Sequence, residues 1–481
     1  MKGRKKFAFD IGITFFASTL AMLVGFVITL LLGRYLGADD LGLYRMIYTI
    51  YGIAVMVVTI GTPAAIIKYV AQYKENKYKF NQIVSSGIIT SLFLGIGFTI
   101  VFYFSSGIFA AIFNMPELSN LLKILSPVFP FALVNGVLLG LLNGIREMKK
   151  YAAATILQSI LMVIITLTLI YFGFGAAGAV VGVVLSTAVS CMFLILISRS
   201  YFEITFHNYV LITKKILSFG AQIVGADAIN MINYQADVIL IGYFLTAKDV
   251  GYYAVAVGLS RLIWLIPQAV QKITYPATSE YWTKNNHISL QMMIDKSMKY
   301  TSFILLPVGV GLGFFAKEII ILIFGTEFIF AVLPVQILIV GTVIFGLVKA
   351  IGGSLSGIGR VDINLKVTGF GAMTNIVLNF LLIPTYGIAG AAIATITSFI
   401  IIAILFIYLT TSIMQIKIDL RWYGLVTIIT AMFVSAFLLN TNYYVNLLLF
   451  GIYCFVFVNL IKKEDRKTLK SLIFPLLFRT K

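Results

Sequence analysis

Apolar residues run along this chain in blocks of mostly 18 to 28 positions, separated by short polar stretches that hold most of the charge. Helices of that length cross a hydrocarbon core of roughly 30 Å at about 1.5 Å per residue. The strand-length alternation of an outer-membrane barrel is absent. The pattern therefore predicts an all-α, polytopic membrane protein with spans at 10–32, 42–67, 82–104, 119–142, 151–172, 178–198, 216–245, 250–271, 298–324, 330–356, 366–384, 388–411, 421–439 and 443–461, fourteen in all. The first block follows a basic start, Lys2, Arg4, Lys5 and Lys6, but its apolar core is too long for a signal peptide and has no small-residue cleavage site. It reads as a retained first helix.

Composition agrees. Of 481 residues, 60% are hydrophobic and 11% charged, against roughly 25% charged in soluble domains. If the N-terminus is cytoplasmic, the inner segments hold 29 of the 36 Lys and Arg residues. Only Arg34, Lys123, Lys248 and Lys317 then fall outside. This one-sided split predicts an even number of spans with both termini cytoplasmic. It also accounts for the net charge of +18, which in a soluble chain would suggest nucleic acid; here it reads as topogenic charge beside anionic headgroups. Cys191 and Cys454 lie inside spans and form no disulfide framework. His207 and His287 lie in inner loops, so no metal or nucleophile cluster is expected within the membrane. No GxxxxGK[ST] run is present, so no nucleotide-binding loop and no cofactor is expected.

The stretch "GRYLGADDLGLYRM" at 33–46 returns as "GYFLTAKDVGYYAV" at 242–255. At an offset of 209, Gly33, Leu36, Ala38, Asp40, Gly42 and Tyr44 meet identical residues. With an offset of 213, Pro63-Ala64 meets Pro276-Ala277 and Gly144-Ile145 meets Gly357-Ile358. At 212, Gly175, Ala177, Gly178, Ala179 and Ser186 meet Gly387, Ala389, Gly390, Ala391 and Ser398. Landmarks in register imply an internal duplication of six spans. The expected organisation is a six-helix lobe at 1–205, a second at 206–415, and two extra helices with a basic cytoplasmic tail at 416–481. Six is even, so the repeats are parallel and flank a central cavity, the geometry of alternating access. The 33–46 stretch and its copy are read as tight outer turns, with Asp placed to cap the incoming helix. Pro127, Pro130, Pro267, Pro307 and Pro334 interrupt spans and predict kinks. The small-residue runs "GFGAAGAVVG" and "GIAGAAIA" predict close helix contact.

A charged side chain at mid-bilayer costs roughly 2.5 to 3.5 kcal/mol on insertion scales and usually faces a cavity. Five lie inside these spans: Arg45, Asp227, Asp237, Arg261 and Lys349. At 100° per residue Asp227, Asn230, Tyr234 and Asp237 share an arc of about 80°, a polar face aimed at the cavity. Arg45, one turn inside the outer surface, is also placed to snorkel, and ion pairs with Asp227 or Asp237 are the plain structural alternative.

The two six-helix lobes, the "GRYLGADDLGLY" turn, the "GFGAAGA" and "YGIAGAA" signatures and the two extra helices resemble the polysaccharide-repeat-unit, Wzx-like flippases of the multidrug/oligosaccharidyl-lipid/polysaccharide flippase superfamily. That resemblance implies a multi-pass cell-membrane protein, not an enzyme, with no catalytic residues. It implies movement of a polyprenyl-pyrophosphate-linked oligosaccharide from the cytoplasmic to the outer leaflet, for surface polysaccharide or glycoprotein assembly. Partners would be that lipid-linked oligosaccharide, membrane lipids, H+ or Na+ as coupling ion, and glycan polymerase or ligase machinery. Within it Arg261, Lys349 and Arg45, with Asn230 and Tyr234, are the candidate substrate-binding residues, because arginine neutralises a pyrophosphate with paired hydrogen bonds. Asp227 and Asp237 are the candidate ion-coupling residues. A cation-coupled multidrug extrusion antiporter of the same superfamily is the alternative, opposed by fourteen spans and by basic cavity residues. A membrane glycosyltransferase would need clustered acids or a His-rich outer loop. A scramblase would not need two matched lobes.

Overall fold

The computed structural model describes residues 2–439 and 443–459; the basic tail beyond 459, the end of the last predicted span and Met1 lie outside the described residues. Helices account for the regular structure there, with no strand among the described residues: α1 (Lys2–Thr59), α2 (Thr62–Gln72), α3 (Lys77–Ile112), α4 (Glu117–Leu125), α5 (Val128–Gly144), α6 (Met148–Tyr171), α7 (Gly175–Ser198), α8 (Tyr209–Phe244) and α9 (Ala247–Leu262). They continue as α10 (Leu265–Thr283), α11 (His287–Phe314), α12 (Ala316–Ile323), a 3-10 turn (Thr326–Ala331), α13 (Val332–Lys349), α14 (Ser354–Gly357), α15 (Val361–Met414), α16 (Leu420–Leu439) and α17 (Tyr443–Asn459).

Among the described residues the apolar blocks are helical, but blocks 42–67, 119–142, 250–271, 298–324 and 330–356 each run across a break between helices. Among the described residues six helical segments are long and apolar enough to cross a membrane, or nine if each bent pair is one span. Two of the six are double: α1 breaks at Gly37 (φ 85°, ψ −175°) and α15 at Gly387 (φ 59°, ψ −141°), backbone that only glycine takes without strain. Each of these turns is so tight that one residue separates two helices. The kinks follow proline only in part. Pro127 caps α5 at a 47° bend from α4, and Pro267 follows the 47° bend between α9 and α10, because a proline ring clashes with the carbonyl four residues back. Pro307 lies inside a continuous α11. The break between α1 and α2, at Ile60 (φ 46°) and Gly61 (φ 64°), falls inside predicted span 42–67.

The described chain divides into two compact units. Among the described residues one takes those up to Gly258, Ile323–Ala331 and Ala372–Ala394; the other takes Leu259–Leu322, Val332–Gly371 and those from Thr395 onward. The core of the first gathers Ile66, Val70, Val84, Val137 and Leu141 from α2, α3 and α5. In the second, Phe303 of α11 packs with Val426, Tyr453 and Phe457, which holds α16 and α17 against α11.

Equivalent positions of the repeat do the same work. Gly175 and Gly387 are both left-handed, and Arg146 (φ 62°) corresponds to Gly359 (φ 86°). Gly140 and Gly353 each seat the helix beside them, on Pro63 and on Tyr275 respectively, and Gly178 and Gly390 lie against Leu169 and Leu382. The stretches 33–46 and 242–255 meet each other reciprocally. A Cβ on Gly42 would overlap the carbonyl oxygen of Ala247, and one on Gly251 would overlap that of Ala38, where Gly251 and Ala247 are the repeat partners of Gly42 and Ala38. An i-to-j contact mirrored by its j-to-i partner is the mark of twofold packing. Glu327 ties the stretches together, accepting from the Ala38 amide (3.4 Å) and pairing with Lys248 (3.4 Å).

The two equivalent aspartates have parted ways. Asp249 accepts from the Thr246 amide (3.2 Å) and hydroxyl (2.6 Å), while the Thr246 hydroxyl accepts from the Asp249 amide (3.3 Å), a capping box opening α9. Asp40 instead accepts from the Ala176 amide at the start of α7; burial and the neighbouring Asp39 push its carboxyl above the usual range. Asp249→Ala should cost about 1 kcal/mol, read as a small fall in the thermal unfolding midpoint of the solubilised protein; an unchanged midpoint would show the box to be dispensable.

Candidate functional site

In the first unit the polar face of α8 grades from open to closed. Asp227 and Asn230 are exposed, Tyr234 is half-buried and Asp237 is buried at 4% exposure. Asp237 accepts from the hydroxyl of Tyr253 in α9 (2.7 Å) and from Nδ2 of Asn379 in α15 (2.8 Å). Asn379 Nδ2 also reaches Oδ1 (3.1 Å) and the carbonyl (2.9 Å) of Asn375, one turn earlier on the same face. Both asparagines are buried, and Asn379 Oδ1 has no hydrogen-bond partner. Three helices thus bring one carboxylate, a phenol and two amides together, with an unpaired oxygen beside the acid. Unpaired buried oxygens are uncommon and point to an ion, a water or a functional role.

Arg45 lies elsewhere in this unit. Its Nη2 donates to Oε1 of Gln235 in α8 (3.1 Å), to which the Thr49 hydroxyl also comes within 3.4 Å. It is half-buried, so it is held by protein and not simply snorkelling. Asp227 is not drawn into the Asp237 cluster.

In the second unit Arg261 and Lys349 come together on one ring. Pro267 cannot continue α9 without meeting the Ile263 carbonyl, and the chain bends at Ile263-Trp264, which swings the indole of Trp264 inward. The Lys349 ammonium stands 4.4 Å from the Trp264 ring centroid and the Arg261 guanidinium 5.8 Å from it. Trp264 donates through Nε1 to the Thr342 carbonyl (3.3 Å), and Phe345 and Phe399, stacked at 4.7 Å, back it. Both cations occupy the last turn of their helices, α9 and α13, where the carbonyl ends of the helix favour positive charge by about 0.3 to 1 kcal/mol. An aromatic face adds about 0.5 to 2 kcal/mol. These terms explain how two half-buried cations persist inside apolar segments, and the pair is suited to a dense anion.

Reading the sequence by charge alone passed over Trp264, Gln235, Tyr253, Asn375 and Asn379. A signal existed for the last two: asparagines at i and i+4 within the apolar run of α15, a spacing that puts both on one helix face.

Residues 7–333 match the model of a family described as polysaccharide biosynthesis protein. An uncharacterized membrane protein of Methanocaldococcus jannaschii is 24% identical over 469 residues, covering 90% of this chain and 91% of that protein. A probable low-salt glycan biosynthesis flippase of Haloferax volcanii is 29% identical over 246 residues, about half of each chain (49% and 52%). Among solved structures, lipid II flippase MurJ in an inward closed conformation superposes with a TM-score of 0.76 at 17% identity, over 93% of this chain and 98% of that one.

Proposed function

Because this chain belongs to the polysaccharide biosynthesis protein family, among the polysaccharide flippases of the multidrug/oligosaccharidyl-lipid/polysaccharide flippase superfamily, we propose that it moves a polyprenyl-pyrophosphate-linked oligosaccharide across the membrane, from the cytoplasmic to the outer leaflet. It is a transporter and not an enzyme. The membrane is the cell membrane, with both termini cytoplasmic, and the flipped lipid is consumed by glycan polymerase or ligase machinery. The lobes are 1–205 and 206–415, with 416–481 appended.

The observation that carries the reading is the pair Arg261 and Lys349 on Trp264. A pyrophosphate crossing a low-dielectric interior needs counter-charge, and a guanidinium offers a two-pronged donor that stays protonated. Arg45, Asn230 and Tyr234 of the first unit are the remaining substrate-binding candidates. Asp237 and Asp227 are the coupling acids. Around Asp237 the donor set fits H+ or Na+, because carboxylate, phenol and amide oxygens are hard ligands and Asn379 Oδ1 is unengaged. A cation there would neutralise the carboxylate and rearrange α8, α9 and α15 about it.

A strain lacking the gene should accumulate lipid-linked oligosaccharide and regain surface glycan on complementation with this gene alone; normal glycan in that strain would defeat the proposal. In the same assay Arg261→Ala with Lys349→Ala should lower export by about tenfold or more, the order of two charge-assisted contacts. Arg261→Lys should retain charge but lose the paired geometry, and fall between. Export by the double alanine variant at the wild-type rate, with wild-type amounts in the membrane, would remove the cations from the substrate path.

A further inference from the structure

A second cationic cluster, in the first unit, is formed by residues outside the candidate site. We propose that the end of α2 and the start of α8 form a binding site for an anionic phospholipid of the bilayer, its phosphate held by Lys68 and Lys215.

The cluster is built by backbone contact. A Cβ on Gly61 would overlap the Gly220 carbonyl oxygen and one on Gly220 would overlap that of Ile60, so α2 and α8 cross with no side chain between them. Lysines from both helices therefore share the same rings. Lys68 Nζ stands 3.7 Å from the Phe219 centroid and 5.2 Å from that of Tyr69. Lys215 Nζ stands 4.7 Å from Tyr69 and 5.2 Å from Tyr73, and donates to the Tyr73 hydroxyl (3.3 Å). Lys79 Nζ approaches Tyr73 from a third direction at 5.2 Å. Among the described residues none of these three ammonium groups is within ion-pair distance of a carboxylate, although Lys77 close by is paired with Glu203 at 2.8 Å. Like charges gathered on rings, without counter-charge, repel each other and attract an anion.

The repeat does not require a lysine at position 68: its counterpart in the second copy is Tyr281. The site lies where the apolar block ends, the level of phosphate headgroups, and basic pockets between spanning helices bind such headgroups. A gathered positive charge at that level matches a lipid with a net negative headgroup; a zwitterionic lipid brings no net charge, and free phosphate has no chain to hold it at that level.

Native mass spectrometry of the full chain in detergent, titrated with phosphatidylglycerol, phosphatidylcholine of the same chains, polyprenyl diphosphate and inorganic phosphate, tests this. Phosphatidylglycerol is expected to bind saturably and at least tenfold more tightly than the others. Lys68→Gln with Lys215→Gln should weaken it about tenfold or more. Lys68→Arg and Lys366→Gln should leave it unchanged. Should the double variant not fold, the single Lys68→Gln is read instead, with a fall of about threefold or more expected. Equal binding of phosphatidylcholine, preference for polyprenyl diphosphate, competition by inorganic phosphate, or folded variants that keep wild-type affinity would each overturn the proposal.

Discussion

Asp237→Ala should lower the stability of the folded protein by several kcal/mol and abolish export together. Removing the carboxylate leaves the Tyr253 hydroxyl without its acceptor and takes one of three from Asn379 Nδ2, inside a cluster buried from three helices. Each buried polar group deprived of its partner costs about 1 to 3 kcal/mol. Asp237→Asn separates the two effects. Its amide oxygen still accepts from Tyr253, so most of the stability returns, while the charge a coupling ion would meet is gone. Under the proposed coupling role, export by the Asn variant should fall by about tenfold or more and lose whatever dependence on pH or Na+ the wild type shows. Asp227→Asn, at an exposed position, should leave the unfolding midpoint unchanged. Thermal unfolding of the purified protein and glycan export at varied pH and Na+ give the two readings. An Asn variant exporting at the wild-type rate under every condition would end the coupling role, and an Ala variant as stable as wild type would show that the buried network contributes nothing.

Gly42→Ala is the second large effect. The added methyl would overlap the Ala247 carbonyl oxygen and stand 2.9 Å from the Gly251 amide nitrogen, both backbone atoms that cannot swing aside. The helices must separate, and overpacking that moves backbone costs at the upper end of the range for single substitutions, about 3 kcal/mol or more. Gly251→Ala should match it, since the overlap there is with Ala38. Gly97→Ala in α3 is the control: nothing lies within 4 Å of its Cβ, and alanine is the better helix former by about 1 kcal/mol. Folded yield by size exclusion and the unfolding midpoint should drop for the first two and hold for the third. A Gly42→Ala protein with the wild-type midpoint would refute the close approach.

The helical character was legible because apolar block length is a direct physical requirement of the bilayer, and the described part of the blocks is helical. Breaks were legible at Pro127 and Pro267, whose rings forbid continuation, and at Gly37 and Gly387, which fall in the gaps between predicted spans 10–32 and 42–67 and between 366–384 and 388–411. Ile60-Gly61 breaks α1 from α2 in the midst of an apolar run. The candidate site divides in the same way. Charge in an apolar run is expensive, so Arg261, Lys349 and Asp237 stand out from composition. Trp264 and Tyr253 look like any core aromatic until Pro267 bends the chain or an acid is found beneath the hydroxyl. Asn375 and Asn379 are neutral, and a search by charge passes over them although their four-residue spacing was visible.

The reciprocal seating of Gly42 on Ala247 and Gly251 on Ala38 couples the two stretches at one junction. Lys68 and Tyr281, or Asp40 and Asp249, each answer to their own surroundings, whereas these glycines answer to each other's stretch. Under the proposed duplication, a change at either glycine is felt by the other copy, and neither half can alter its spelling there alone.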